Sequence, residues 1–445
     1  MSLIWFMVLL FGLQGICLII GSAYARGVKT NEDYFLASRG LKFFPLMMTF
    51  VATQIGGGLV LGSAEEAYQY GWGTLFYPLG ATLGLLALSL GVGRRLAAFK
   101  VSTVAQLFEV VYGSSFLKKG ASLLSIFSLF MIFIGQLVAS KKFMVSVGVP
   151  SEGVFIGFWI IVIMYTALGG MKAVVVTDII QAFYFIVTFG VCFFWASWTD
   201  GWSLSETLAT EGRGLEPSFD RLASWLLMPL FFMIIEQDMA QRCFAAASGK
   251  IVTTATLVAG GITMAFCTIP VFFGVTAQLA GIEIKPGASV LMTMVQNLSS
   301  PILAAFVGCA ILAAIISTAD SLINAVSSNI SQDFFPEKTN IRVAQAISVI
   351  LSLLGIYFSY FFTNIVDILI QSYELSVSCL LVPVFAALFR PKGSKESAAL
   401  AMSFGLIGFF LFRYFPPPLP RELLSLLLSA IGFALGARLS RRFAN

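Results

Sequence analysis

The sequence holds no histidine among its 445 residues. That excludes imidazole acid–base catalysis and histidine-based sensing of pH. Charge is scarce as well: only 11 % of residues are Asp, Glu, Lys or Arg, while 58 % are hydrophobic. Ordinary soluble domains sit nearer half apolar and a quarter charged. Six cysteines, at 17, 192, 243, 267, 309 and 379, are scattered through apolar runs with no metal-type spacing, so packing is their expected role. Long polar stretches are missing too. The longest, Thr199 to Ala223, is the size of a loop, and no linker or low-complexity tract divides the chain. One domain, 1–445, is expected.

What is present is a succession of apolar runs near 20 residues, the signature of a polytopic all-α membrane protein. The short alternating segments of a transmembrane β-barrel are absent. About thirteen spans are expected: 2–22, 43–69, 72–93, 120–146, 153–168, 171–197, 223–246, 251–277, 300–328, 341–361, 364–389, 397–415 and 422–437. Ala23-Tyr24-Ala25 mimics a signal-peptidase site, but no Lys or Arg precedes the first apolar run, so that run is read as a retained span. The net charge of +5 does not point to nucleic acid. Lys and Arg gather in alternate short loops, among them Arg26, Lys29, Arg39, Lys42, Arg94, Arg95, Lys118, Lys119, Lys338, Arg390, Lys392 and Arg441. The positive-inside rule then places the N-terminus outside and the C-terminus in the cytoplasm of a cell inner (plasma) membrane. Thr103–Tyr112 is expected to form a short surface helix, and Gly281 to Ser300 another.

Three stretches carry chemistry. From Ala310 to Ser328 an apolar helix presents Ser317, Asp320, Ser321 and Asn324 on one face, with Thr318 on its flank. A carboxylate among hydroxyls at membrane depth is costly unless it meets a partner, a cation or water, and hard oxygen donors suit a hard cation. The other reading is that the hydroxyls bond back to the preceding helical turn. In the second span, Gly56, Gly57 and Gly58 follow Gln54. Each mid-helix glycine costs roughly 0.5–1 kcal/mol against Ala, so three in a row invite unwinding. Unwound backbone at membrane depth lines a cavity or is buried in protein, and its freed carbonyls can hold an ion. Close helix packing on small residues is the alternative. The seventh span brings Glu236, Gln237, Asp238, Gln241 and Arg242 while still within membrane reach. Glu236 and Gln237 are expected at a cavity, Asp238 and Arg242 at the cytoplasmic helix end.

Y-T-A-L-G-G-M-K-A-V-V-V-T-D-I-I-Q (165–181), Q-D-M-A-Q-R-C-F-A-A-A-S (237–248) and I-S-T-A-D-S-L-I-N-A-V-S-S-N-I-S-Q-D-F-F (316–335) together resemble the sodium/solute symporters, carriers of sugars, proline, sialic acid, pantothenate and choline. The likeness runs along nearly the whole chain and implies a leucine-transporter-like core of two inverted five-helix repeats. Residues 43–197 would form the first repeat and 223–389 the second. An extra N-terminal helix and loop (2–42) and extra C-terminal helices (396–445) would flank them.

The resemblance also implies a Na+ site, commonly called the second one. It would comprise the carbonyls of Ala52, Ile55 and Ala314 and the hydroxyls of Ser317 and Thr318. An additional Na+ site at Asp178, Asp320 and Ser321 is possible by the same likeness. Asp320 replaces a hydroxyl of some members, and Asp178 could instead pair with Gln181. Gln54, Gly56, Gly57, Gly58, Glu65, Glu236, Gln237 and Gln371 are the expected substrate-facing residues. The Gly triplet is nearest to the choline branch, yet Gln54 and Glu236 stand where that branch has aromatic rings. A polar solute is therefore expected, with Glu236 either meeting an amine or staying neutral.

The expected activity is sodium-coupled symport of a small polar solute by alternating access, with sodium as coupling ion and a monomer sufficient for transport. Alternatives are a sodium-dependent channel or leak, which needs a continuous polar pore, and a transporter-like sensor, which would carry a signalling domain beyond Arg442. An enzyme is not expected, because Asp178 with Ser321 lacks a base.

Overall fold

A computed structural model describes all residues except 150, 198–214, 336–340, 390–393, 416, 418 and 445. Lys338, Arg390 and Lys392, most of the polar gap after Thr199, and Pro416 and Pro418 of the expected outer turn therefore lie outside the described residues. Among the described residues the chain is helical throughout. Its only β-type contact is an isolated parallel bridge between Leu41 and Ala246. Ten helical stretches among the described residues are long and apolar enough to cross a membrane, or eleven with one bent pair counted as a span.

The helices are α1 (Leu3–Ala25), α2 (Asn31–Leu36), α3 (Phe43–Gln54), α4 (Ser63–Tyr70), α5 (Phe76–Ala87), α6 (Gly93–Ala98), α7 (Gln106–Tyr112) and α8 (Ser115–Ser146). They continue with α9 (Glu152–Ser197), α10 (Phe219–Ile235), α11 (Gln237–Ala245), α12 (Gly249–Leu279), α13 (Val290–Leu298) and α14 (Pro301–Asn329). Last come α15 (Ile341–Phe358), α16 (Ile365–Phe389), α17 (Lys395–Tyr414) and α18 (Arg421–Ala444). Most expected span ends agree within a few residues, and the surface helices α7 and α13 fall where the sequence put them.

α14 is the central pole. Of its most apolar window, 83 % is buried. α1, α3, α8, α9 and α15 pack around it. The helix is apolar on nearly every side, as a helix fully enclosed by protein must be. α17 and α18 instead pair with each other at the edge, where little of either is covered.

Two helices are interrupted at membrane depth. α3 stops at Gln54, and Ile55 leaves helical geometry (φ −86°, ψ 83°) before the chain resumes through a widened turn at Gly58–Gly62. α10 stops at Ile235, Glu236 is extended (φ −65°, ψ 123°), and α11 continues at 44° to it. The first break was expected from the Gly triplet; the second falls inside the span expected over 223–246.

α9 bends at Gly170, whose φ of 57° and ψ of −160° suit glycine almost alone. A Cβ there would stand 2.6 Å from the Tyr34 carbonyl oxygen. This bend seats α2 against α9, where Lys172 reaches Asp33 at 2.9 Å. Gly170→Ala is expected to destabilise the protein by about 1–3 kcal/mol, read as a lower midpoint of thermal unfolding in detergent. Gly157→Ala, with nothing within 4 Å of its Cβ, serves as the neutral comparison.

Candidate ion and solute site

The break after α3 lies directly against α14. The Ser317 hydroxyl donates to the carbonyls of Ala52 at 2.8 Å and Ala314 at 2.9 Å. The Thr318 hydroxyl donates to Thr53 O at 2.9 Å and stands 3.4 Å from Ala52 O and 3.3 Å from Ala314 O. Ile55 is fully buried in the gap itself. Two hydroxyls and three or more carbonyls from two helices thus share one small volume, the neutral oxygen set that a hard monovalent cation takes. The back-bonding alternative is also visible, since both hydroxyls reach Ala314 O one turn earlier; they span both helices at once.

Glycine is required here by contact. A Cβ on Gly56 would stand 2.3 Å from Thr318 Oγ1. One on Gly57 would stand 2.5 Å from Ala139 Cβ, and one on Gly58 2.6 Å from Leu369 Cδ2 and 2.9 Å from the Tyr77 hydroxyl. The Gly57 N–H donates to Gln136 Oε1 at 2.7 Å. Gln136, on α8, was missed from sequence; a lone amide in the run I-G-Q-L-V was the available signal.

At the possible additional ion site the structure brings in a basic side chain that the sequence placed elsewhere. Asp178 and Ser321 do come together, but Arg242 stands between them. Its Nη2 lies 3.2 Å from Asp178 Oδ2 and 2.5 Å from Ser321 Oγ, its Nε 3.0 Å from Thr49 Oγ1, and its Nη1 2.9 Å from Asp238 O. Thr49 also donates to Asp178. Arg242 and Asp238 are each 1 % exposed, so neither sits at a watery helix end as the sequence suggested. The 44° turn at Glu236 carries α11 back into the bundle. A buried carboxylate is tolerated when paired and hydrogen-bonded, and a guanidinium fits that role. Gln181 is not the partner of Asp178; its amide approaches Cys17 Sγ.

Asp320 is held elsewhere, by the hydroxyls of Tyr165 (3.0 Å) and Thr166 on α9. Asp178 and Asp320 therefore do not share partners. Asn324 accepts from Gln241 at 2.8 Å.

The expected solute residues divide into groups. The Gly triplet converges with Gln136 and Tyr77. Glu236 is buried at the second break, its N–H bonded to Phe232 O at 2.8 Å. Phe232 stacks on Tyr373 with centroids 4.5 Å apart. Gln54 is half-buried beside the first break. Glu65 pairs with Lys142 at 2.6 Å and lines a separate cavity of about 630 Å³ with Glu66, Lys141 and Lys285. Gln237 does not face a cavity: it accepts from Val104 N at 2.7 Å and donates to Ser102 O at 3.0 Å, latching that loop. Gln371 is exposed and lines another cavity, of about 520 Å³, with Asp367 and Arg413.

A family model, the sodium:solute symporter family, matches residues 34–405. The chain belongs to that family. As a member it performs sodium-coupled symport of a small solute, with Na+ as the coupling ion. The symporter is 22 % identical over 459 residues to the sodium/pantothenate symporter of Haemophilus influenzae, covering 94 % of this chain and 93 % of that one. It is 27 % identical over 362 residues to the same organism's sodium/proline symporter, covering 75 % and 71 %. The match to the sodium/pantothenate symporter of Escherichia coli, 28 % identical, spans 42 % of this chain and 39 % of that relative's length.

Among solved structures, a Na+-coupled sialic acid symporter in a substrate-bound outward-open state superposes with TM-score 0.79 at 18 % identity, covering 98 % of both chains. Mhp1, a nucleobase-cation-symport-1 family transporter, gives 0.65 at 12 %, covering 92 % of this chain and 94 % of that one. The fold is the leucine-transporter-like one, and the protein is a multi-pass membrane transporter.

The Arg242–Asp178 pair yields a test. Arg242→Gln or Asp178→Asn alone leaves a buried charge without its partner and is expected to cost about 3–5 kcal/mol. The double substitution is expected to cost less than the sum of the two. Unfolding midpoints of the four proteins in the same detergent measure the coupling.

Proposed function

We propose that the symporter imports a small polar organic solute by alternating access, with Na+ held between α3 and α14. The observation that carries this reading is the convergence of the Ser317 and Thr318 hydroxyls on the carbonyls of Ala52, Thr53 and Ala314 across the first break. The ion's ligands are then Ala52, Ile55, Ala314, Ser317 and Thr318.

On this reading the chain is one transporter domain with thirteen crossings. The stretches 58–98 and 152–197 are 41 and 46 residues long. Each exceeds the roughly 20 residues one crossing needs. Positive φ at Gly71 and Gly170 supports dividing them. Repeats 43–197 and 223–389 then each begin with an interrupted helix. The extra helices, 2–42 and 396–445, stand outside the repeats. The N-terminus lies outside, the C-terminus inside the cell membrane, and a monomer suffices.

With that orientation the inner ends are fastened. Leu41 bonds both ways with the end of α11, at 3.0 Å to Ala245 O and from Ala247 N. Asp333 accepts from Thr103 and Ser122, each at 2.7 Å. The cavity at Glu65 and Lys142 lies at the outer end. Both features favour an outward-facing arrangement. Sodium draws the first break against α14, the solute completes the site, and the helix bundle rocks to release both inside. One sodium ion crossing 100 mV supplies about 2.3 kcal/mol, enough for a roughly fortyfold solute gradient.

Ser317→Ala with Thr318→Ala is expected to abolish sodium-stimulated uptake while leaving membrane expression intact. Uptake by vesicles in sodium against potassium decides it; undiminished sodium stimulation would refute the site.

A further inference from the structure

The cavity of about 630 Å³ lies between α4, α8, the loop that enters α13 and the chain that enters α16. It is close to the first break. Gln136, which takes the Gly57 N–H, and Lys142 of the cavity wall stand on the same helix, about 9 Å apart along its axis.

Its charges do not balance. Glu65, Glu66, Lys141, Lys142 and Lys285 all line it. Each carboxylate already has a partner: Glu65 lies 2.6 Å from Lys142, and Glu66 3.2 Å from Arg221. Among the described residues Lys141 and Lys285 form no ion pair. The Lys141 ammonium rests over the Tyr360 ring at 3.1 Å and lies 4.9 Å from the Phe155 ring centre. Ring faces attract an ammonium without cancelling its charge. Glu152 shares a neighbouring cavity with Lys141 but does not pair with it, and Glu283 is exposed and outside the wall.

Two ammoniums are thus left over in a cleft whose other walls include Val138, Val145, Ile284 and Phe362. A cleft lined by surplus charge of one sign, with low-dielectric walls, concentrates solutes of the opposite sign and speeds their arrival. A carboxylate supplies what the two ammoniums lack, accepting charge-assisted hydrogen bonds from both. An organic cation is repelled by them, and an uncharged solute gains little from them.

We propose that this cavity is where the solute first binds from outside, and that the solute bears a carboxylate group taken by the ammoniums of Lys141 and Lys285. This rests on the symport reading above and narrows it to one class of solute.

The test uses the full chain, purified and reconstituted in liposomes, with sodium or potassium outside. Lactate, gluconate and proline are offered beside glucose and prolinamide, so that two pairs differ chiefly in the carboxylate. Sodium-dependent uptake of a carboxylate is expected, with its carboxylate-free counterpart at least about tenfold poorer in KM. Lys141→Gln with Lys285→Gln is expected to raise that KM about tenfold and leave Vmax within about twofold. Raising ionic strength with an inert salt should raise KM in the unaltered protein and change it much less in the double variant. Lys141→Arg with Lys285→Arg keeps both charges and should keep the original KM. Lys285→Gln alone, on an exposed loop, should raise KM about threefold. The sodium-induced rise in melting temperature should persist in every variant.

Sodium-dependent uptake confined to glucose or prolinamide would overturn the proposal and leave sodium symport standing. So would no response to any carboxylate, an unchanged KM in both Gln variants, or an equal loss in the Arg pair, which would assign the effect to packing. Uptake indifferent to sodium for every solute would instead overturn the symport reading.

Discussion

Backbone carbonyls set free inside a membrane protein are the constraint on which this structure rests. A helix that stops at Gln54 exposes peptide groups that lipid cannot satisfy. The chain answers by laying Ser317 and Thr318 of α14 across the gap, at 2.8–3.4 Å from the carbonyls of Ala52, Thr53 and Ala314. Everything nearby serves that approach. Glycine at 56 and 57 leaves room for Thr318 and Ala139, Gln136 takes the Gly57 N–H, and the buried length of α14 keeps the hydroxyls in place. To hold a cation, the two hydroxyls need only turn their protons away and present lone pairs. On the proposed reading the same contacts serve folding and ion binding.

The second break solves a different problem. By turning 44°, the chain returns α11 to the core and delivers Arg242 to Asp178, Ser321 and Thr49. Four helical segments, α3, α9, α11 and α14, meet at this one guanidinium. Its bonds are charge-assisted and shielded from water, so it fixes their mutual positions more firmly than any apolar contact of similar size. The proposed sodium position and this ion pair lie one helical turn apart on α14, at Ser317 and Ser321.

Much of this was legible in the sequence, because the signals were local. Three glycines in a row mark a break, hydroxyls at helical spacing mark a face, and apolar runs mark spans. What was not legible depends on distance along the chain. Arg242 looked like a helix end because it comes late in an apolar run; its partner lies 64 residues earlier. Tyr77, Tyr373 and Gln136 sit in runs whose composition is that of ordinary core. Only the packing of α5, α8 and α16 against the two breaks separates them from it. Gln237 and Gln371 were chosen as polar residues in apolar company, and each has a different occupation. Gln237 satisfies backbone at Ser102 and Val104, while Gln371 faces outward beside Asp367.

At the other end of the bundle, Arg221 of α10 lies 3.2 Å from Glu66 on α4 and 3.4 Å from Asp367 on α16, donates to the Tyr70 hydroxyl at 2.8 Å, and rests on the Tyr70 and Trp225 rings. The Asp367 side chain is half exposed and that of Glu66 is almost covered. Charges in contact with solution are screened over about 8 Å at physiological ionic strength, covered ones far less. Rising salt therefore weakens the clasp to α16 before the one to α4, so the two helices part from α10 in a fixed order.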